Sequence, residues 1–209
     1  MIEAIEGQKK IRDIAVGDLV ASRDAFTGAK TFRTVTDLFR RTAPGIVHVT
    51  LDGPDGKRET LDVTSEHPLF AEGKGWTQVR RLQKGDRVLS GKGGPLAVAD
   101  IVHDNTPTLV YNFEVAQDHS YFAGSEGAWS HNGFGSYLVG NGSQFYIGKG
   151  DLIRAKRSAR RIGGWVIDWT PACSDKQSFI DEARRILDFG GIGAENLLNI
   201  RNSPGRKWL

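Results

Sequence analysis

An asparagine that follows a histidine and precedes a glycine can cut its own chain. At His131-Asn132-Gly133 the Asn132 side-chain amide can attack its own backbone carbonyl, close a succinimide ring and expel the amine of Gly133, which adds no side-chain crowding. His131 could polarise that carbonyl or protonate the departing amine. His119, in Asp118-His119-Ser120-Tyr121-Phe122, could serve as acid or base, worth on the order of 10²–10⁴ in rate for a positioned proton transfer. A third polar cluster, Thr64-Ser65-Glu66-His67-Pro68, follows Thr60-Leu61-Asp62-Val63. Any one of these alone is a weak signal, since a lone histidine is more often structural and Asn-Gly more often a turn.

Different chemistry is spelled out in the last third. Asn141-Gly142 has the sequence of a two-residue type I′ turn and predicts a hairpin over 135–148 in which 137 faces 146, so that the Tyr137 and Tyr146 hydroxyls reach one site. An ordinary aromatic pair is the alternative. A helix is expected from its cap Asp151 to about Ile162, with Arg154, Lys156, Arg157, Arg160 and Arg161 turned away from an apolar stripe of Leu152, Ala155, Ala159 and Ile162. Such a face suits phosphate binding, or is simply solvated. After a strand at 165–169, a second helix capped by Ser174 or Asp175 and running to about Phe189 carries Glu182 inside its apolar sector, between Ile186 and Phe189. An unpaired buried carboxylate costs several kcal/mol, so an arginine, another cation or a metal has to meet it.

The elements that position these groups are read from repeats and composition. Residues 11–22 and 79–90 match at an offset of 68, sharing Arg, Gly, Asp, Val and Ser in register, each a turn leading into a strand. Short β-rich runs such as 47–51 and 109–115, separated by turns such as 52–56, complete an all-β segment in which only Thr34 to Arg41 hints at a helix. Cut after Asn132, the chain divides by charge: residues 1–132 hold 16 Lys/Arg against 18 Asp/Glu, net −2, and residues 133–209 hold 12 against 7, net +5. A polyanionic partner is suggested for the second part only. No apolar run approaches the roughly 20 residues of a membrane span, and the first residues lack the layout of a signal peptide. The single cysteine, Cys173, excludes an internal disulfide framework.

Together the Thr-x-x-His, the later histidine and the terminal His-Asn resemble the Hint family shared by inteins and hedgehog-type autoprocessing domains, over essentially all of residues 1–132. The resemblance implies a horseshoe-like, pseudo-twofold all-β fold. It also implies that Thr64 and His67 serve the peptide bond upstream of the domain, while His119, His131 and Asn132 serve the bond downstream. The family usually opens with a cysteine, and this sequence opens at Met1 without one, so the N-terminal nucleophile is expected to be missing. Gly133 offers no nucleophile to accept a transferred segment, which leaves C-terminal cleavage rather than splicing.

Residues 133 to about 200 resemble the GIY-YIG nucleases. Gly135-Ser136-Tyr137 corresponds to the first triplet with serine in the middle place, Tyr146-Ile147-Gly148 matches the second, and Lys149 follows. Arg154 corresponds to the helix arginine, with Arg157 as its rival because the stretch after Tyr146 is short; Ser158 occupies the place of a histidine in an Arg-x-x-x-His pattern. Implied here are a three-stranded antiparallel sheet with flanking helices, and phosphodiester hydrolysis. Glu182 would hold one divalent ion such as Mg²⁺, Tyr146 or Tyr137 would help deprotonate water, Lys149 would assist the tyrosine, Arg154 would hold the phosphate, and Asn199 would support the site. Arg157, Arg160 and Arg161 would bind phosphates along the substrate.

A releasing domain ahead of a nuclease resembles the end of a bacterial polymorphic toxin. That implies delivery by a secretion system, action in the target-cell cytoplasm on nucleic acid (DNA ahead of RNA), and a cognate immunity protein. The alternative from another class is a non-catalytic nucleic-acid-binding module behind an inactive Hint spacer, motivated by Ser136 and the short loop.

Overall fold

The computed structural model describes residues 1–24, 27–131, 135–150, 152–172 and 175–209. The chain divides into two compact units, Met1–Asn132 and Gly133–Leu209. Among the described residues, no helix is long and apolar enough to cross a membrane.

Unit one is all β. In chain order its strands are β1 (Ile2–Ala4), β2 (Gly7–Lys9), β3 (Leu19–Arg23), β4 (Lys30–Ala43), β5 (Ile46–Asp52), β6 (Arg58–Val63), β7 (Pro68–Ala71), β8 (Gly75–Gln78), β9 (Arg87–Val88), β10 (Leu96–Asp104), β11 (Thr108–Val115), β12 (Ser120–Ala123) and β13 (Ala128–His131). They join in the order β11-β4-β3-β1-β12-β13-β7-β9-β10-β5-β6, with β2 beside β1 and β8 beside β7. Alternation sets their faces: in β5, Val47, Val49 and Leu51 are buried while His48 and Thr50 between them are partly exposed. The expected helix over Thr34 to Arg41 is instead the middle of β4. There Thr34 pairs with Leu19, and the stretch from Val35 to Ala43 pairs with β11, Arg41 meeting Val110. Cross-strand partners distant in sequence outweigh a weak local helical preference.

The duplication seen in sequence is repeated bond for bond. Short 3₁₀ turns occur at Ile11–Asp13 and Val79–Arg81, the same 68 residues apart. Asp18 accepts the Ala15 N–H at 2.8 Å and Asp86 accepts the Gln83 N–H at 2.8 Å. Lys9 and Lys74 hold these two carboxylates at 2.5 and 2.7 Å. Gly17 donates to Val35 O and Val35 N to Asp18 O; Gly85 donates to Val98 O and Val98 N to Asp86 O. Both glycines sit at positive φ, +96° and +90°, where a Cβ is unfavourable, which explains why Gly-Asp is kept in each copy. Each copy anchors a separate core: Ile14 and Val20 with Phe113 and Tyr121 in one, Leu82 and Val88 with Leu51 and Leu69 in the other.

The second unit is α/β. Its strands β14 (Gly135–Gly140), β15 (Phe145–Gly150) and β16 (Trp165–Pro171) form an antiparallel sheet in the order β15-β14-β16, with α1 (Leu152–Arg161) and α2 (Asp175–Asp188). Tyr137, Val139 and Trp169 pack against Ala155 and Ala159 of α1, while Leu138, Phe145 and Ile147 pack with Ile186 and Phe189 on the other face. The hairpin register differs from the type I′ expectation: Gly140 faces Phe145, Val139 faces Tyr146 and Tyr137 faces Gly148. The cause is Asn141. Its side-chain oxygen accepts the Ser143 and Gln144 N–H groups at 3.1 and 2.9 Å, holding a four-residue loop in place of a two-residue turn. The Asp151 and Ser174 caps lie outside the described residues.

Candidate functional site

In the first unit, the Thr64–His67 turn is held by its own backbone: His67 N donates to Thr64 O at 2.9 Å, Arg80 N to Ser65 O at 2.8 Å and Val79 N to His67 O at 3.0 Å. Thr64 and His67 border a pocket of about 450 Å³ that also takes in Met1, Asp62, Asn112 and Tyr121. Met1 is fixed at its rim, its carbonyl accepting the Gly124 N–H at 2.8 Å. His67 Nε2 is sealed from solvent without a hydrogen-bond partner among the described residues. Burial pulls its pKa down to about 4, so it is a neutral imidazole at physiological pH. The Tyr121 ring lies 6.3 Å away, and burial raises its phenol far above the ordinary range.

His119 immediately precedes β12, and His131 ends the adjacent β13. His131, almost fully buried, closes β13 and pairs across the ladder with Ser120, the residue after His119. Its ring meets Trp76 with centroids 4.7 Å apart. His119 Nδ1 donates to Glu114, and the neighbouring Asp118 is held by Arg33 Nε at 2.9 Å. Asn132 and Gly133 lie outside the described residues.

The second unit contains a cleft of about 650 Å³ lined by Tyr146, Lys149, Arg154, Arg161, Glu182 and Asn199, closed off by residues 200–204. The outer edge of β15 explains how it is built. Phe145 N donates to Asn196 O at 2.8 Å and Leu198 N to Phe145 O at 2.8 Å. One rung further, the Asn199 side chain replaces a strand: its Oδ1 accepts Ile147 N and its Nδ2 donates to Ile147 O, both at 2.8 Å. The next outward amide, Lys149 N–H, donates to the Glu182 carboxylate. Main chain, amide side chain and carboxylate thus take three successive rungs of one exposed edge.

That arrangement answers the question raised by Glu182. Burial raises its pKa, opposed by a hydrogen bond from Ser203, the charges of Lys149 and Arg154, and the Lys149 amide. The Ser203 hydroxyl is also 2.9 Å from Phe179 O, and its one proton serves one acceptor at a time. Arg154 reaches the cleft across Gly150, where a Cβ would overlap its side chain. Arg161 lies over the Tyr146 ring, 5.1 Å from its centroid. Arg157 and Arg160, expected on the phosphate path, are exposed on α1 and do not line the cleft, because that face of the helix points elsewhere.

The tyrosines are neighbours, though not as direct partners. Their ring centroids are 6.3 Å apart on a diagonal, with Tyr137 lying over Gly148, where a methyl would overlap the phenol. Tyr137 is 1% exposed, its hydroxyl 2.9 Å from Ser158 Oγ, and burial pushes its pKa up; Tyr146 is the tyrosine that faces the cleft. Ser136 points to the opposite face, where its hydroxyl accepts Arg185 Nε at 2.8 Å in a network with Asp168 and Thr170. Sequence reasoning missed Glu114, Arg185 and Ser203; no motif marks them, since Arg185 and Ser203 act through partners distant in sequence and Glu114 meets His119 only through the turn between β11 and β12.

The profile of the pretoxin Hint domain family matches residues 1–133. No curated relative matches the chain. A bacterial intein-like domain from Clostridium thermocellum is similar in structure, with TM-score 0.59 and 29% identity over 63% of this chain and 94% of its own. The gp41-1 intein, 23% identical, superposes with TM-score 0.51 over 63% of this chain and 92% of its own. The MchDnaB-1 intein, 21% identical, has TM-score 0.50 over 63% and 95%. The two inteins share the fold of the first unit.

Proposed function

The chain belongs to the pretoxin Hint family, an intein-like autoprocessing class, and from that premise we propose that its first unit cleaves the Asn132–Gly133 bond to release a metal-dependent nuclease of GIY-YIG type. Supporting the release step is the position of His131 at the end of β13, paired across the ladder with Ser120, the residue that follows His119. Thr64 and His67 border the pocket at the first residue, as a site for an upstream bond would require.

The nuclease reading is carried by one observation: Glu182, Tyr146, Lys149, Arg154 and Arg161 line a single cleft. Arg154 and Arg161 would bind the scissile phosphate, and Tyr146, with Lys149 close by, would help take the proton from an attacking water. No group of three His, Cys, Asp or Glu side chains among the described residues could cage a metal. A hard cation anchored by one carboxylate and otherwise by water and substrate phosphates fits Glu182, and Mg²⁺ is bound in that manner. When bound, it stabilises charge on the leaving oxygen. Ser136 lies away from this cleft, so its replacement of the usual residue does not favour binding without cleavage. The substrate is nucleic acid, DNA ahead of RNA. The context is a polymorphic toxin delivered by a secretion system into target-cell cytoplasm and neutralised at home by an immunity protein.

Incubation of the purified chain with plasmid and total RNA, with and without Mg²⁺, tests the nuclease. Nicking that survives Glu182→Ala sinks the site assignment. Mass spectrometry tests release: a fragment beginning at Gly133 should appear and be lost in Asn132→Ala.

A further inference from the structure

The turn that carries His119 is tied down from two strands. His119 has φ +49° and Gln117 φ +68°, the two non-glycine residues in the left-handed region among those described. Non-glycine residues hold that conformation only where surroundings enforce it, and such sites cluster at functional positions. From β4, Arg33 holds Asp118; from β11, the Glu114 carboxylate accepts a hydrogen bond from His119 Nδ1–H. Glu114 and His119 are both largely buried, at 14% and 13% side-chain exposure, so their contact is little screened by water. The strand that follows places Ser120 opposite His131.

We propose that Glu114 is a positioning residue for His119 in chain release, an inference resting on the proposed Asn132–Gly133 cleavage. Fixing the proton on Nδ1 makes Nε2 the working nitrogen and holds the ring in one orientation. The balance is closed. As the Asn132 amide nitrogen bonds to its own carbonyl carbon it loses one proton to Nε2; as the C–N bond to Gly133 breaks, Nε2 returns one proton to the departing amine. The charged groups around His119 are Glu114 from β11, Asp118 beside it and Arg33 from β4, with His131 across the ladder from Ser120.

The test uses the full chain. Glu114→Gln keeps an acceptor for Nδ1–H but removes the charge; Glu114→Leu removes both. Release is followed by mass spectrometry between pH 5 and 9, and the His119 tautomer is read by ¹⁵N NMR, its resonance assigned with His119→Gln. Wild type should show the Nδ1-protonated tautomer. Glu114→Gln should keep that tautomer and release near the wild-type rate, whereas Glu114→Leu should lose the tautomer preference and slow release about 10–100-fold, the scale on which histidine-orienting partners act. An unchanged His119 tautomer in Glu114→Leu, or release in Glu114→Gln slowed as much as in Glu114→Leu, overturns the positioning role alone. Absence of a Gly133 fragment from wild type at every pH overturns the cleavage reading itself, and the proposal with it.

Discussion

Replacing Asn199 by leucine, a side chain of similar size, strips two hydrogen bonds from the outer edge of β15 and leaves Ile147 N–H and C=O without partners. Ile147 is fully buried and Asn199 is 9% exposed, so neither group is freely hydrated in compensation. An orphaned buried polar group costs about 1–3 kcal/mol, and because the apolar leucine recovers part of the loss by burial, the lower part of the range applies. Two groups then cost about 2–3 kcal/mol. By tenfold per 1.4 kcal/mol, the Ile147 amide should exchange with deuterium roughly 30- to 140-fold faster in Asn199→Leu. Asn199→Asp keeps the acceptor for Ile147 N–H but loses the donor, and should lie between. The next rung is the Lys149 amide on Glu182, so nucleic-acid cleavage should fall in parallel. An Ile147 exchange rate unchanged in Asn199→Leu, with the sheet intact, would refute the view that this side chain replaces a strand.

Three further outcomes are expected. His67 is neutral when folded, its pKa about 4 against 6.5 unfolded, so the stability it permits is full above about pH 6.5 and is lost as pH falls towards 4, by up to about 3 kcal/mol; urea midpoints of wild type and His67→Leu should converge in pH dependence only if the imidazole is not the cause. Gly148→Ala puts a methyl on the Tyr137 ring and should destabilise the second unit by about 1–3 kcal/mol in chemical denaturation, with an unshifted midpoint contradicting the packing. Arg154→Ala should lower plasmid nicking on the order of 10²–10³-fold while Arg157→Ala changes it little; the reverse order would make Arg157 the phosphate ligand.

Much of this molecule was legible in its sequence because the determinants are local. The 68-residue duplication survives as matched Gly-Asp turns whose hydrogen bonds need only residues within the turn and one facing strand. The helices over 152–161 and 175–188 follow from apolar periodicity, and Glu182 betrayed itself by standing in an apolar sector. What the sequence left undecided depends on partners far along the chain or on a side-chain bond that overrides a turn motif. Thr34 to Arg41 is a strand because β3 and β11 pair with it, not because of its own preference. Tyr137 faces Gly148 because the Asn141 side chain lengthens a turn by two residues, and a change of two residues keeps each tyrosine on its face while altering its direct partner. That Arg154 and not Arg157 lines the cleft follows from helix packing and from a glycine across which one arginine can pass. Local chemistry named the candidate side chains; long-range pairing decided which of them share a cleft, since a hydrogen bond between Ile147 and Asn199 or between Ser136 and Arg185 has no signature until the chain is folded.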